Sequence, residues 1–236
     1  MANRYFDFKQ FRVCQEDSAF KVGTDGVLLG AWCRVEDSRK VLDIGSGTGL
    51  ISLMIAQRSK AYITALEPDR LSASEAAANF LLSPWSDRLE LSERSIQDFC
   101  PGNLKFDHIV TNPPYFRNSL TNQDKRLSAA RHNHALSSDD LLEKIAGLLD
   151  NEGRFSIILP YAEANLFIAE ASSYSLYCNR ILSIKSLPDR PVSRMLMEFS
   201  ARKEKLEKGI LVIETGMRHK YSLGYITLTR DFYLDF

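Results

Sequence analysis

The sequence predicts an α/β fold: a mainly parallel, twisted sheet with helices on both faces, preceded by a short hairpin and helix extension. Three observations carry that prediction. From Lys40 onward, short apolar runs alternate with helical stretches, the pattern of βαβ units. Two of those runs stop abruptly, one at Gly45–Gly49 and one at Asn112-Pro113-Pro114, as buried strands do where they give way to turns. The 236 residues are 44% hydrophobic and 25% charged, enough for one ordinary core and incompatible with wholesale disorder. The chain reads as one domain, 1–236, with 1–38 as an N-terminal extension.

Each element has a local reason. Residues 5–14 (YFDFKQFRVC) alternate partly between apolar and polar and predict a short strand or hairpin. KVGTDGVLLGAW, 21–32, reads as a loop entering a short helix, with Thr24 or Asp25 as its cap. Lys40–Ile44 is a buried strand, Leu50–Arg58 a helix, and Tyr62–Leu66 a strand closed by Glu67. Asp69 caps an Ala-rich helix that runs to Leu82. Strands follow at Arg88–Leu91, Phe106–Thr111 and Arg154–Leu159, with a helix over Leu141–Leu149 capped by Asp139 or Asp140. A helix at 162–174 precedes strands at Arg180–Ser186 and Met195–Ala201; further strand candidates are Ile210–Glu214 and Tyr225–Leu228. Met195, Met197 and Phe199 read as core, and Tyr161, Tyr174 and Tyr177 as ordinary packing. Right-handed crossovers place a ligand site at the carboxyl ends of the strands. The longest stretch without a clear element is 116–136, and a loop of that size beside a sheet edge is more often functional or mobile than structural.

Charge excludes some classes. Thirty Lys+Arg balance thirty Asp+Glu, so net charge gives no steering toward nucleic acid and any such partner needs a local patch. The stretch Arg180–Lys220 holds ten basic residues against five acidic ones; it is either that patch or a set of solvated faces. Cys14, Cys33, Cys100 and Cys178 show no CxxC spacing and read as reduced thiols, not zinc ligands. MANRYFDFKQFR has no apolar core of a signal peptide, and no 18-residue apolar run spans a membrane. The expectation is a cytoplasmic protein without metal. No Ser-His-Asp constellation, P-loop or metal-ligand cluster is present in the sequence.

Two motifs carry chemistry. VLDIGSGTG, 41–49, is a glycine-rich turn between strand and helix, and ALEPD, 65–69, ends the next strand on an acid. Glycine lets the backbone approach a ligand, and a carboxylate at Glu67 suits a ribose diol. A nicotinamide dinucleotide fits the same logic, but Leu50 replaces the third glycine of GxGxxG. The second motif is Asn112-Pro113-Pro114-Tyr115. The prolines hold the chain rigid and extended. The Asn112 oxygen and a proline carbonyl then become fixed acceptors for the two N–H bonds of an exocyclic amine, and Tyr115 offers a face for stacking. Methyl transfer to a planar nitrogen needs that arrangement, because accepting both N–H bonds favours pyramidalisation. The plain structural alternative is a loop with Asn112 as a helix cap.

VLDIGSGTG, Glu67 and NPPY together resemble the Rossmann-like S-adenosylmethionine-dependent amino-methyltransferases. Within them KVGTDGVLLGAW, NPPYF (112–116), ARH (130–132) and TLTRDFYL (227–234) are similar to the tRNA1(Val) adenine-37 N6-methyltransferases over nearly the whole chain. The resemblance implies S-adenosylmethionine as cofactor, tRNA as partner, and a monomer or weak dimer. It implies cofactor contacts from Asp43, Gly45, Ser46, Gly47, Gly49 and Pro68, with Glu67 at the ribose and Asp98 at the adenine. Lys21, Gly23, Thr24 and Asp25 would close over the cofactor as part of the 1–38 extension. Asn112, Pro113 and Tyr115 would form the target-amine site, with Asn112 also reaching the cofactor. Pro114, Phe116, Arg131, His132, Arg190 and Arg194 would meet the RNA; for Arg131, His132 and His134 the alternative is exposed loop side chains. Competing functions are a protein glutamine N5-methyltransferase, which also uses NPPY, a nicotinamide oxidoreductase, which leaves NPPY unexplained, and a non-catalytic RNA-binding module, which leaves the glycine turn unexplained.

Overall fold

A computed structural model describes residues 3–113, 136–217 and 219–236. Residues 5–14 form the expected hairpin, strands β1 (Tyr5–Asp7) and β2 (Arg12–Cys14), paired antiparallel. Its Phe6, Phe8 and Phe11 rings gather with Trp85 and Tyr233, and Lys9 Nζ donates to the carbonyls of Arg230 and Phe236, both at 2.6 Å. The two ends of the chain are therefore fastened together.

The main sheet has eight strands in the order β10-β8-β9-β7-β6-β3-β4-β5. These are β3 (Lys40–Ile44), β4 (Tyr62–Leu66), β5 (Leu89–Ser92), β6 (Phe106–Thr111), β7 (Leu149–Pro160), β8 (Tyr177–Lys185), β9 (Val192–Ser200) and β10 (Glu207–Val212). All pairings are parallel except those of β9, which lies antiparallel between β7 and β8. A reversed strand inserted there needs only the short turn from β8, where a parallel strand would need a long crossover. The chain begins the sheet at β3, winds outward through β4 and β5, then crosses to β6 on the other side. The crevice between β3 and β6 is thus the topological switch point, where such sheets bind ligands.

Helices α1 (Thr24–Trp32), α2 (Leu50–Arg58) and α6 (Leu223–Thr229) share one core with the sheet through Leu28, Leu29, Ile51, Ile55, Val110, Leu196 and Tyr225. Helix α3 (Arg70–Leu82) joins this layer through Phe80. Helices α4 (Ser138–Leu148) and α5 (Tyr161–Ser173) cover the other face through Leu141, Ile145, Ala164 and Phe167. Within the 1–38 extension, α1 is an integral layer helix: Gly26 through Trp32 are all buried. No described helix is long and apolar enough to cross a membrane.

Three local expectations are corrected. Tyr225–Leu228 is helix, not strand. Ser222 caps it by accepting from the Tyr225 N–H at 3.1 Å, and Tyr225 and Thr229 are buried one turn apart, so packing overrides the β-branched composition. Helix α1 is not capped by Thr24 or Asp25; its N-cap is Gly23, extended and without a side-chain bond. Neither Asp139 nor Asp140 caps α4. Ser137 does, accepting from the Asp140 N–H at 3.0 Å, and both acids sit in the first turn, where they favour the helix dipole.

Candidate active site

The glycine turn follows β3. Gly45, Gly47 and Gly49 have φ of +72°, +55° and +80°, a region side chains disfavour. The three glycines serve different ends. A Cβ at Gly45 or Gly47 would meet nothing within 4 Å, whereas one at Gly49 would collide with the Phe80 ring. Gly49 therefore has a packing reason, and the open side of Gly45 and Gly47 is where another molecule can approach. The turn is held by its own amides: Gly45 and Ser46 both donate to the Leu66 carbonyl at 2.9 Å.

Glu67 is 8% exposed and clasps the turn. One carboxylate oxygen accepts from the Gly47 N–H at 2.8 Å, the other from the Asp69 N–H at 2.9 Å. Burial raises its pKa, opposed by those two N–H bonds. Each oxygen retains a lone pair, so bonds from a ribose diol are compatible with the clasp. Beneath lies Asp43, fully buried, with Oδ2 accepting from Ser52 Oγ at 2.7 Å. Burial pushes its pKa up to about 7. Asp43 Oδ1 and Ser46 Oγ are buried without partners, an arrangement that costs free energy unless a ligand or water completes it. Open glycines, an acid at the strand end and two buried polar atoms lacking partners fit a nucleoside cofactor with an amino-acid tail. Pro68, next to Glu67, is exposed. Asp98 is exposed beyond β5, its Oδ2 accepting from Ser95 Oγ at 2.6 Å.

Asn112 emerges beside this turn. Thr111 pairs with Ile44 across β6 and β3, and its buried hydroxyl donates to the Ile44 carbonyl at 2.8 Å. The next residues along the chain are Asn112 and Gly45, so the two backbones leave their strands about one strand spacing, roughly 5 Å, apart. Asn112 is half-buried and Pro113 buried. Pro114, Tyr115, Phe116, Arg131, His132 and His134 lie outside the described residues.

On the N-terminal side, Lys21 is exposed and its Nζ donates to the carbonyls of Gln15 and Glu16. Gly23 and Thr24 are exposed at the start of α1. Asp25 Oδ2 accepts from Arg194 Nε at 2.8 Å, both side chains being half-buried. Arg194 opens β9 opposite Pro160 at the carboxyl end of β7, so the structure joins a residue expected at the cofactor to one expected at the RNA. Arg190 is exposed in the β8–β9 turn on the same side. The basic stretch 180–220 is not one patch. Arg202 and Lys203 follow the other end of β9, about 20 Å away along the strand.

A family model for the methyltransferase small domain matches residues 8–158. Curated relatives named tRNA1(Val) (adenine(37)-N6)-methyltransferase are 44% identical in Bacteroides fragilis and 46% in Bacteroides thetaiotaomicron, over 99% of this chain and 99% of theirs. The chain belongs to this methyltransferase family. A relative of the same name in Trichodesmium erythraeum is 43% identical over 100% of both chains. Among solved structures, a protein of Agrobacterium tumefaciens described as a predicted O-methyltransferase superposes with a TM-score of 0.68 at 20% identity, over 88% of this chain and 96% of that one. It shares the fold of this family member.

Sequence reasoning missed one set of residues. Ser72, Glu75 and Asn79 of α3 are all buried and bind the backbone of the N-terminal segment. Their only signal was polar residues spaced at one helix face within an Ala-rich run, which ordinarily means a solvated stripe.

Proposed function

We propose that this chain is an S-adenosylmethionine-dependent methyltransferase acting on N6 of an adenine in tRNA, adenine 37 of tRNA1(Val). Near-full-length similarity to relatives of that name supports the substrate. The observation that carries the chemistry is the Thr111–Ile44 lock, which sets Asn112 beside the glycine turn. When bound, S-adenosylmethionine supplies an electrophilic methyl group on a sulfonium centre. Gly45 and Gly47 would let it close on the backbone, Glu67 and Pro68 would meet the ribose, and Asp43 and Ser46 offer buried polar atoms toward the amino-acid tail. Asp98 would bind the adenine, and Lys21–Asp25 would stand over the site. Asn112 would accept one N6–H bond and a proline carbonyl of 113–114 the other, so both donors of the target amine would be held in fixed orientation. Tyr115 stacks on the base, and Phe116 lies next to it in sequence. An anticodon-loop adenine is unstacked at low cost.

For the RNA backbone we assign Arg190 and Arg194 on the carboxyl-end rim, with Arg131 and His132 from the 116–136 stretch. We further propose a monomer or weak dimer acting in the cytoplasm; one chain carries both the glycine turn and Asn112, so the site needs no residue from a second copy. The test is transfer of labelled methyl to tRNA1(Val) transcript followed by nucleotide mapping. Label on N6 of adenine 37 is expected; label on a protein glutamine, or none on tRNA, would overturn the assignment.

A further inference from the structure

The N-terminal segment is bolted to α3 at three points. Asn79, 1% exposed, accepts from the Cys14 N–H at 2.8 Å and donates to the Cys14 carbonyl at 2.9 Å. The same amide nitrogen donates to the carbonyl of Thr48, inside the glycine turn, at 2.9 Å. Four residues earlier, Glu75 receives three consecutive backbone N–H groups: Glu16 and Asp17 on Oε1, the latter at 3.0 Å, and Ser18 on Oε2 at 2.8 Å. One turn nearer the helix start, Ser72 Oγ meets Ser18 Oγ at 3.2 Å. Ser72 in turn donates to Asp69, whose N–H binds Glu67. Segment 14–18 is thereby linked to the glycine turn through Asn79 and to Glu67 through Ser72 and Asp69.

The segment carries the next one. Gln15 Oε1 accepts from the Val22 N–H at 2.7 Å, and Lys21 Nζ binds the Gln15 and Glu16 carbonyls. Lys21–Thr24 therefore fold back on residues that Glu75 and Asn79 hold in place.

We propose that Glu75 and Asn79 are positioning residues for the cofactor: they fix Cys14–Ser18, and through it Lys21–Thr24, against the glycine turn. The inference rests on the cofactor reading above. A carboxylate receiving three N–H bonds makes charge-assisted contacts, the stronger class. Among the described residues, Asn79 is the one α3 side chain with hydrogen bonds to both the N-terminal segment and the turn. Their role is to order the segment before the cofactor arrives, so that binding does not bear that entropy.

The variants are Glu75→Gln, which keeps one acceptor oxygen, and Asn79→Asp, which keeps the acceptor for Cys14 but removes the donors to Cys14 and Thr48. Amide exchange at 16–18 in cofactor-free protein is expected to speed up about tenfold or more in each, and the dissociation constant for S-adenosylmethionine to rise about tenfold. The single-turnover rate at saturating cofactor should stay within about threefold of wild type, the split between KM and kcat that positioning predicts. Faster exchange with unchanged affinity would overturn the proposal, since the clamp would then serve only the fold. In wild-type protein S-adenosylhomocysteine should slow exchange across 16–24, and unchanged exchange there would overturn it whatever the variants do. A wild-type protein that fails to bind S-adenosylmethionine would instead refute the cofactor reading itself.

Discussion

Asp43 on β3 and Glu198 on β9 are carboxylates at one level of the same sheet. The register runs Asp43 to Val110, Ser156 and Glu198, three strand spacings or about 14 Å. Both are buried, at 0% and 3% exposure, yet their surroundings are opposite. Glu198 is met by Arg154 at 3.0 Å and by Arg34 and Arg180 at 3.9 Å, around a cavity of about 60 Å³. Arg180 also stacks over Trp32 at 4.0 Å. Asp43 and its neighbour Glu67 have no described cation in an ion pair; a hydroxyl and two backbone N–H groups hold them. Each region keeps one buried carboxylate oxygen without a hydrogen bond, Glu198 Oε2 and Asp43 Oδ1, but Glu198 is balanced by three guanidinium groups. Asp43 has no such balance among the described residues, and Ser46 Oγ is a second unpartnered buried atom beside Gly45 and Gly47, whose Cβ positions are open. A buried oxygen without a hydrogen bond does not mark a site by itself; charge balance and the open space beside it distinguish the two regions.

The largest effect is expected next to the region left open. Asn112→Ala should lower single-turnover methyl transfer by about 10²–10³, the loss expected for one preorganised polar contact, with cofactor affinity retained. A near-wild-type rate would make NPPY a structural turn.

At the closed region the effect moves from rate to stability. Glu198→Gln removes the carboxylate that Arg154 and Arg180 face, while Arg34 keeps Glu207 at 2.6 Å. It should cost about 2–3 kcal/mol in urea unfolding, less than a fully buried pair, because Arg34 and Arg154 are 42% and 40% exposed. A loss below 0.5 kcal/mol, on the order of a surface substitution, would show that the cluster is dispensable.

Acid–base behaviour separates the regions further. Burial raises Asp43 from 3.8 to about 7, so between those values the folded state holds a proton that the unfolded state has released. Stability contributed by protonated Asp43 is full below about pH 4 and falls as pH rises toward 7. Wild type minus Asp43→Asn, followed by urea unfolding across that range, should show this decline. A difference that rises with pH would contradict the assigned burial.

The smallest effect is at the RNA rim. Arg190→Gln should reduce the salt slope of tRNA binding by about one, and the Arg202→Gln, Lys203→Gln pair should leave it unchanged. Equal slopes for the two variants would remove the distinction between the ends of β9.

That distinction was not legible in the sequence, whereas much of the fold was. Lys40–Ile44, Leu50–Arg58 and Tyr62–Leu66 match their predicted bounds, because apolar runs punctuated by glycine have one good solution in a parallel sheet. Arg190 and Arg202 are indistinguishable until the reversal of β9 sends them to different sides. Tyr225–Leu228 has strand composition and helix packing. Glu75 and Asn79 look like a solvated stripe because their partners are backbone groups some sixty residues earlier. In the candidate site, the placement of the glycine turn, Glu67 and Asn112 at strand ends was legible, and the unequal surroundings of Gly47 and Gly49 needed Phe80 in place.

The contrast between the two buried carboxylate regions is tested most directly by calorimetric titration of S-adenosylmethionine into wild type, Glu67→Ala and Glu198→Gln. Glu67→Ala should weaken binding by about 1–3 kcal/mol through loss of charged hydrogen bonds, while Glu198→Gln, though less stable, should bind as wild type does at a temperature where it is folded. Undiminished binding by Glu67→Ala, or an equal loss in both variants, would contradict the account.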